Sequence, residues 1–252
     1  MTENGKTVHL IIKRQDGPNS ESYVEEFEVN YRPSMNIVSA LMEIRKNPVN
    51  KKGVETLPVQ WESICLEEVC GACSLLVNGE PRQACSTLVD QLEQPIHLAP
   101  LNTFEVERDL IVDRKRMFEA LMKVKAWVEI DGTQDLGPGP RLNERERQFA
   151  YELSKCMTCG LCFEACPNVN DKSTFMGPAP IAQVKLFNTH STGKMQEPMR
   201  LDEIMKEGGI TSCGNSGNCV EVCPKEVPLT KTLGYLNRDT TLYSFKRFFY
   251  DG

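Results

Sequence analysis

The sequence predicts an α+β protein in two domains, a small sheet-and-helix domain followed by a helical one. Three observations predict it. Short β-branched and aromatic runs fill the first hundred residues around one helical stretch. Helical patterns and turns fill the region after residue 143. The cysteines fall into one cluster in the first half and two in the second. The expected division is 1–106, a linking helix and connector over 107–142, and 143–252.

Residues 8–14, "VHLIIKR", read as a strand. In "YVEEFEVNY", residues 23–31, Tyr23, Phe27, Val29 and Tyr31 share one period-two face and suggest a half-buried partner strand. Residues 36–46, "NIVSALMEIRK", read as a helix with Ile37, Val38, Leu41 and Ile44 inward. Asn78-Gly79 is a hairpin turn signal between short strands. "PIHLAPL", residues 95–101, supplies a last strand. Over 113–127, Met117, Phe118, Leu121, Met122 and Val124 form an apolar stripe, read as core. "DGTQDLGPGPRLNE" is a Gly/Pro connector. Asn143 and Glu146 form a capping-box pattern, opening a helix that carries Phe149, Ala150 and Leu153 toward Cys156. The basic run 108–116, "RDLIVDRKR", reads as a solvated face or partner contact. The aromatic and basic tail "SFKRFFYDG" is expected to pack on its own domain, with an anchor protein or bilayer surface as the alternative.

Composition narrows the function. The hydrophobic share of 40% and charged share of 25% are ordinary for a soluble globular chain. A net charge of −6 argues against nucleic acid as partner. No apolar run is long enough to span a bilayer, and "MTENGKTVHL" lacks a signal peptide's basic and apolar regions. The expectation is a chain kept in the reducing cytoplasm. Eleven cysteines, an odd number and tightly clustered, disfavour a disulfide framework. The three histidines lie outside the cysteine clusters, which disfavours mixed Cys/His zinc fingers.

"CLEEVCGAC" gives Cys65-x4-Cys70-x2-Cys73, and Cys85 follows across the hairpin. The first three positions match plant-type 2Fe–2S spacing. Gly71 lets the backbone pass close to the cluster. A four-cysteine zinc site and inert packed thiols are the alternatives.

"KCMTCGLCFEACPN", residues 155–168, is nearly repeated by "TSCGNSGNCVEVCPK", residues 211–225. Cys156, Cys159, Cys162 and Cys166 fall on Cys213, Ser216, Cys219 and Cys223 at a constant offset. In two-cluster bacterial ferredoxins the fourth cysteine of each run ligates the other cluster. That rule gives Cys156, Cys159, Cys162 and Cys223 to a 4Fe–4S cluster. It leaves Cys166, Cys213 and Cys219 for a 3Fe–4S cluster, with Ser216 where a fourth iron would be held. Ligation by a Ser216 alkoxide, or zinc in place of iron and sulfide, is the alternative. Pro167 and Pro224 read as turn formers, and Gly160 and Gly214 as points of close backbone approach. No general base, nucleophile, G-x-G-x-x-G or P-loop is evident, so no catalytic residue is assigned and the chain reads as a one-electron wire.

With "CGACSLLVNGEPRQAC", "FMGPAP" and "CVEVCPK" added to these runs, nearly the whole chain resembles the iron–sulfur subunit family of succinate dehydrogenase and fumarate reductase, in its Bacillus-type form. The resemblance implies a β-grasp 2Fe–2S ferredoxin-like domain followed by an all-α bacterial-ferredoxin-like domain. It implies a flavoprotein subunit with covalent FAD that oxidises succinate, and a haem-containing membrane anchor with a quinone site. Electrons would pass from FAD through 2Fe–2S, 4Fe–4S and 3Fe–4S clusters to quinone. The protein would be peripheral, on the cytoplasmic face of the cell membrane. Ubiquinone-reducing relatives often carry a Trp soon after the fourth cysteine of the first run and a His after the cysteine matching Cys213. Here "CPNVNDKSTF" has no Trp and Gly214 replaces the His, which points to menaquinone reached through anchor haems. The quinone-binding residues are unassigned. The iron–sulfur subunit of a quinol:fumarate reductase and a free-standing iron–sulfur carrier are the other readings.

Overall fold

A computed structural model describes residues 6–129 and 142–250, so most of the Gly/Pro connector lies outside the described residues. The chain divides into two compact units. One joins Met1–Arg114 with Met157–Glu164, and the other joins Lys115–Cys156 with Ala165–Gly252.

In the first unit, β1 (Thr7–Arg14) pairs antiparallel with β2 (Tyr23–Asn30). Along β1 every second residue is buried, placing Val8, Leu10 and Ile12 in the core. On β2 only Phe27 and Val29 are buried, while Tyr23 is exposed. Next comes α1 (Ile37–Lys46). It starts where it does because Asn36 and Ser39 cap each other reciprocally, Asn36 Oδ1 accepting the Ser39 N–H at 2.8 Å and Ser39 Oγ the Asn36 N–H at 2.9 Å. Arg45 and Lys46 in its last turn offset the negative end of the helix. Ile37, Val38, Ala40, Leu41 and Ile44 face the sheet. Full burial of a Leu or Ile side chain contributes about 1.5–3 kcal/mol.

Three short strands complete the sheet: β3 (Ser74–Val77), β4 (Glu80–Gln83) and β5 (Ile96–Ala99). The order is β2-β1-β5-β3-β4, with β5 parallel to β1 and antiparallel to β3. A mixed five-stranded sheet crossed by one helix is the expected β-grasp domain. Asn78 and Gly79 both have positive φ, 49° and 82°, as a tight β3–β4 turn requires.

The basic run 108–116 is not a solvated face. A second ribbon, β6 (Glu105–Arg108) and β7 (Ile111–Asp113), runs through it, burying Asp109, Leu110 and Val112. Asp109 accepts from Arg14 Nε at 2.9 Å and Nη2 at 3.1 Å, and from the N–H groups of Gln15 and Gln60. Arg14, itself fully buried, also donates to Glu25 at 2.6 Å. A boundary at 106 would cut this ribbon; the chain leaves the unit after Arg114 instead.

The second unit holds α2 (Lys115–Lys123), α3 (Glu144–Ser154), α5 (Pro178–Thr189), α6 (Glu197–Met205), α7 (Asn218–Glu221) and α8 (Leu229–Tyr250). The short α4 (Leu161–Glu164) belongs to the first unit. α3 starts at the expected cap, Asn143 accepting from the Glu146 N–H at 2.9 Å. α5 contacts α2, α3, α6 and α8, and its first seven residues are all buried. Pro at its first position suits a helix start, whose N–H would be unpaired anyway. Arg200 on α6 is buried, and among the described residues no carboxylate lies within ion-pair distance of it. It donates instead to the carbonyls of Lys125, Trp127 and Gly193 and to Asn188 and Gln196, and burial pulls its pKa down.

Two expectations fail here. The α2 stripe is only partly core: Met117, Ala120 and Val124 are buried, but Phe118 and Met122 are exposed. The buried face follows the i, i+3, i+7 row, one position off the row the apolar residues suggested. The C-terminal phenylalanines do not pack inward either, and the Tyr250 side chain lies outside the described residues. Burial along α8 ends at Thr240, and Phe245, Phe248 and Phe249 are exposed. Polar contacts of Tyr243 and Arg247 with Asp202 tie this end instead. Among the described residues no helix is long and apolar enough to cross a membrane.

Candidate metal centres

None of the eleven cysteines is paired in a disulfide. The first set sits on an irregular loop before β3 and just after β4. Leu66, Glu68 and Gly71 all have positive φ, curling the loop tightly. The curl turns N–H groups onto sulfur. Glu67 N and Val69 N each donate to Cys65 Sγ at 3.4 Å, and Ala72 N to Cys70 Sγ at 3.5 Å. These donors favour thiolate, and the N–H groups of Glu67 and Val69 pull the Cys65 thiol down to about 7. Cys73 is pushed the other way, up to about 12, by burial and by the neighbouring thiols of Cys85 and Cys70. Cys65 also interacts with Cys70, so the fold links all four cysteines in one chain of neighbours.

The hairpin makes that convergence possible. Its register pairs Ser74 with Gln83 and brings Ala84 N to the Cys73 carbonyl at 3.0 Å. Gln83 accepts from the Cys73 thiol at 3.3 Å and donates to Ser74 Oγ at 2.7 Å; Ser74 in turn donates to the Gly71 carbonyl at 2.9 Å. Asn36, the cap of α1, donates to the Cys85 carbonyl at 2.9 Å. Ser74, Gln83 and Asn36 carry no cysteine-like signature in sequence. Only the strand register, counted outward from Asn78-Gly79, would have paired Ser74 with Gln83.

In the second unit Cys166, Cys213 and Cys219 are mutual neighbours. Burial raises the Cys166 pKa, with Cys213 adding to it. Burial, then Cys166 and Cys213, pushes Cys219 up to about 11. Two asparagines staple the two runs: Asn168 Nδ2 donates to the Ser212 carbonyl and Asn218 Nδ2 to the Ala165 carbonyl, each at 3.0 Å. Asn215 N donates to Cys213 Sγ at 3.5 Å. Ser216 is exposed, between Asn215 and Gly217, both of positive φ. A side chain at Gly214 would meet Asn168 Oδ1 at 2.8 Å.

The remaining four cysteines are divided. Cys159 and Cys162 belong to the first unit, Cys156 and Cys223 to the second. All four are half-buried. Cys223 Sγ accepts from Val227 N at 3.4 Å. The segment carrying Cys159 and Cys162 is fixed by α4: Phe163 stacks on Phe104 at 5.8 Å, and Glu164 accepts from Asn102 and from the N–H and hydroxyl of Thr103.

The donor sets suit iron–sulfur clusters. They are all thiol, and several sulfurs receive backbone N–H groups, which stabilise anionic sulfur. Among the described residues no three or more His, Cys, Asp or Glu side chains are arranged to hold a single metal ion. A lone zinc draws its thiolates in at about 2.3 Å. Cluster thiolates are spread over several irons, two to each iron in a 2Fe–2S cluster and one to each in a 4Fe–4S cluster, and as a set stand further apart.

The comparisons with known proteins agree. Residues 9–119 match the family described as "2Fe-2S iron-sulfur cluster binding domain", and residues 152–227 the "4Fe-4S dicluster domain". The chain is 64% identical over 244 residues, 97% of its length and 96% of the relative's, to the succinate dehydrogenase iron–sulfur subunit of Bacillus subtilis (strain 168). It is 31% identical over 204 residues, 80% of its length and 79% of the relative's, to the fumarate reductase iron–sulfur subunit of Escherichia coli O6:H1. Its fold resembles a chain of the Mycobacterium smegmatis Sdh1 complex in the apo form, with a TM-score of 0.77 at 24% identity, covering 97% of this chain and 98% of that one. Cysteine pattern, two-part fold and near full-length identity together show that the chain belongs to the family of succinate dehydrogenase and fumarate reductase iron–sulfur subunits.

Proposed function

We propose that the chain is the electron-transfer subunit of a succinate:quinone oxidoreductase. Its partners would be a FAD-containing flavoprotein and a haem-containing membrane anchor using menaquinone, on the cytoplasmic face of the cell membrane. The observation that carries this reading is the 64% identity over 97% of the chain to a succinate dehydrogenase iron–sulfur subunit.

In this reading Cys65, Cys70, Cys73 and Cys85 hold a 2Fe–2S cluster. Cys156, Cys159, Cys162 and Cys223 hold a 4Fe–4S cluster, and Cys166, Cys213 and Cys219 a 3Fe–4S cluster. Bound, the clusters supply one-electron carriers in series. The protein's part is to hold and tune them. N–H groups from Glu67, Val69 and Ala72 favour anionic sulfur at the first set. Cys166 and Cys219 of the three-thiol set are buried, while Cys213 is half-buried.

Purification of the tagged full chain from its native membranes tests the proposal. The expected preparation contains a flavoprotein and a haem protein, and oxidises succinate faster than it reduces fumarate. Faster fumarate reduction would favour the quinol:fumarate reductase reading, which the 31% identity to a fumarate reductase subunit supports. Recovery as a lone carrier would contradict both.

A further inference from the structure

We infer that Arg114 is a positioning residue for the first thiol set: it anchors the cluster loop and raises the reduction potential of the centre held there. The inference rests on the reading that Cys65, Cys70, Cys73 and Cys85 hold a 2Fe–2S cluster.

Arg114 is the last residue of the first unit, directly after β7. Its Nη2 donates to the Ala72 carbonyl at 3.0 Å, and its Nη1 to Glu62 Oε2 at 2.7 Å. Ala72 lies between the ligand candidates Cys70 and Cys73, and its own N–H donates to Cys70 Sγ at 3.5 Å. One residue of the loop is therefore held at both ends, by a sulfur and by a guanidinium. A trans peptide points its N–H opposite to its carbonyl. Fixing the Ala72 carbonyl thus also fixes the direction of the Cys73 N–H. The neighbouring Gly71 carbonyl is held separately, by Ser74.

The charge matters as much as the tether. A guanidinium stays positive at every working pH. The Arg114 side chain is 13% exposed while that of its partner Glu62 is 40% exposed. Water screens the carboxylate more than the guanidinium, so this pair's own contribution at the loop is net positive. Arg114 Nε is buried with no hydrogen-bond partner among the described residues, an orphan donor in a site next to a thiol-rich loop. A cluster with four thiolates is negative, and one-electron reduction makes it more so. A fixed positive charge beside it favours the reduced form.

The test is a redox titration of the purified complex, followed by the EPR signal of the reduced 2Fe–2S centre. Variants are Arg114→Met, Arg114→Lys and Glu62→Gln. Arg114→Met should lower the midpoint by about a tenfold change in the one-electron equilibrium, about 59 mV. Glu62→Gln should raise it. Arg114→Lys keeps the charge and should stay nearer wild type than Arg114→Met. A purely structural tether would reduce the amount of signal and leave the midpoint in place. An unmoved midpoint in Arg114→Met, or a lowered one in Glu62→Gln, overturns the inference. If Arg114→Met fails to assemble, the direction of the Glu62→Gln shift decides. A wild-type complex with no 2Fe–2S signal overturns the cluster assignment first, and the inference with it.

Discussion

Gly71 lies directly against Cys159. A Cβ built on Gly71 would stand 2.8 Å from the Cβ of Cys159, 2.9 Å from its Cα and 2.9 Å from the Met157 carbonyl oxygen. The loop of the first thiol set thus touches the loop of the 155–168 cysteine run, backbone to backbone, within one unit. Only a residue without a side chain allows the approach, and the φ of +75° favours glycine independently.

Gly71→Ala should therefore destabilise the full chain by about 2–5 kcal/mol, from backbone strain and overpacking together. Gly79→Ala is the control. It has a similar φ of +82° but nothing within 4 Å of the added Cβ. Its expected loss is about 1–2 kcal/mol, from the left-handed backbone alone. Urea unfolding of both variants checks this. Equal losses would contradict the contact.

The thiols should differ sharply in a cluster-free chain. Thiolate is the reactive form. Cys65, pulled down to about 7, should alkylate first, its rate rising as pH climbs through that value. Cys73, pushed up to about 12, and Cys219, up to about 11, should lag. Mass-spectrometric mapping of iodoacetamide labelling at neutral pH reads the order, and labelling of Cys73 before Cys65 would contradict it. The raised pair also fixes a sign for stability. The unfolded chain loses these protons near pH ~8.5, while the folded chain keeps them. Stability should fall as pH rises above that value.

Asp109→Ala should cost about 3–5 kcal/mol, because it leaves the fully buried Arg14 without the carboxylate that binds its Nε and Nη2. Chemical denaturation of the full chain measures it. A loss under about 1 kcal/mol, the range of an exposed pair, would contradict the buried arrangement.

What the sequence made legible was local. Asn78-Gly79 announced its hairpin and Asn143 its helix start. Contacts between distant positions were not legible. Arg14 and Asp109 are 95 residues apart, and nothing near Asp109 marks it as the partner of a buried cation. In "RDLIVDRKR" the charges dominate the pattern, yet Asp109 and Arg114 both face inward to hold other segments. On α2, two adjoining helical rows are apolar enough to be core. α2 contacts α5; Met117, Ala120 and, just past the helix, Val124 are buried, while Phe118 and Met122 are exposed. The tail aromatics misled because their composition suits a core, while the helix that carries them has no burial beyond Thr240.

Ser216→Cys should change the third centre. The residue is exposed, within the loop that carries Cys213 and just ahead of Cys219. A thiol there completes a four-cysteine run. The variant should lose the oxidised 3Fe–4S EPR signal and gain a second 4Fe–4S centre of lower potential. Retention of the oxidised signal would mean that the loop cannot bring position 216 to the cluster.

Low-temperature EPR of the purified complex, before and after reduction, tests the central claim most directly. Three clusters on eleven cysteines predict a near-isotropic 3Fe–4S signal in the oxidised sample and a 2Fe–2S signal on reduction. An oxidised sample with no 3Fe–4S signal would contradict the assignment of Cys166, Cys213 and Cys219, and with it the role given to Ser216.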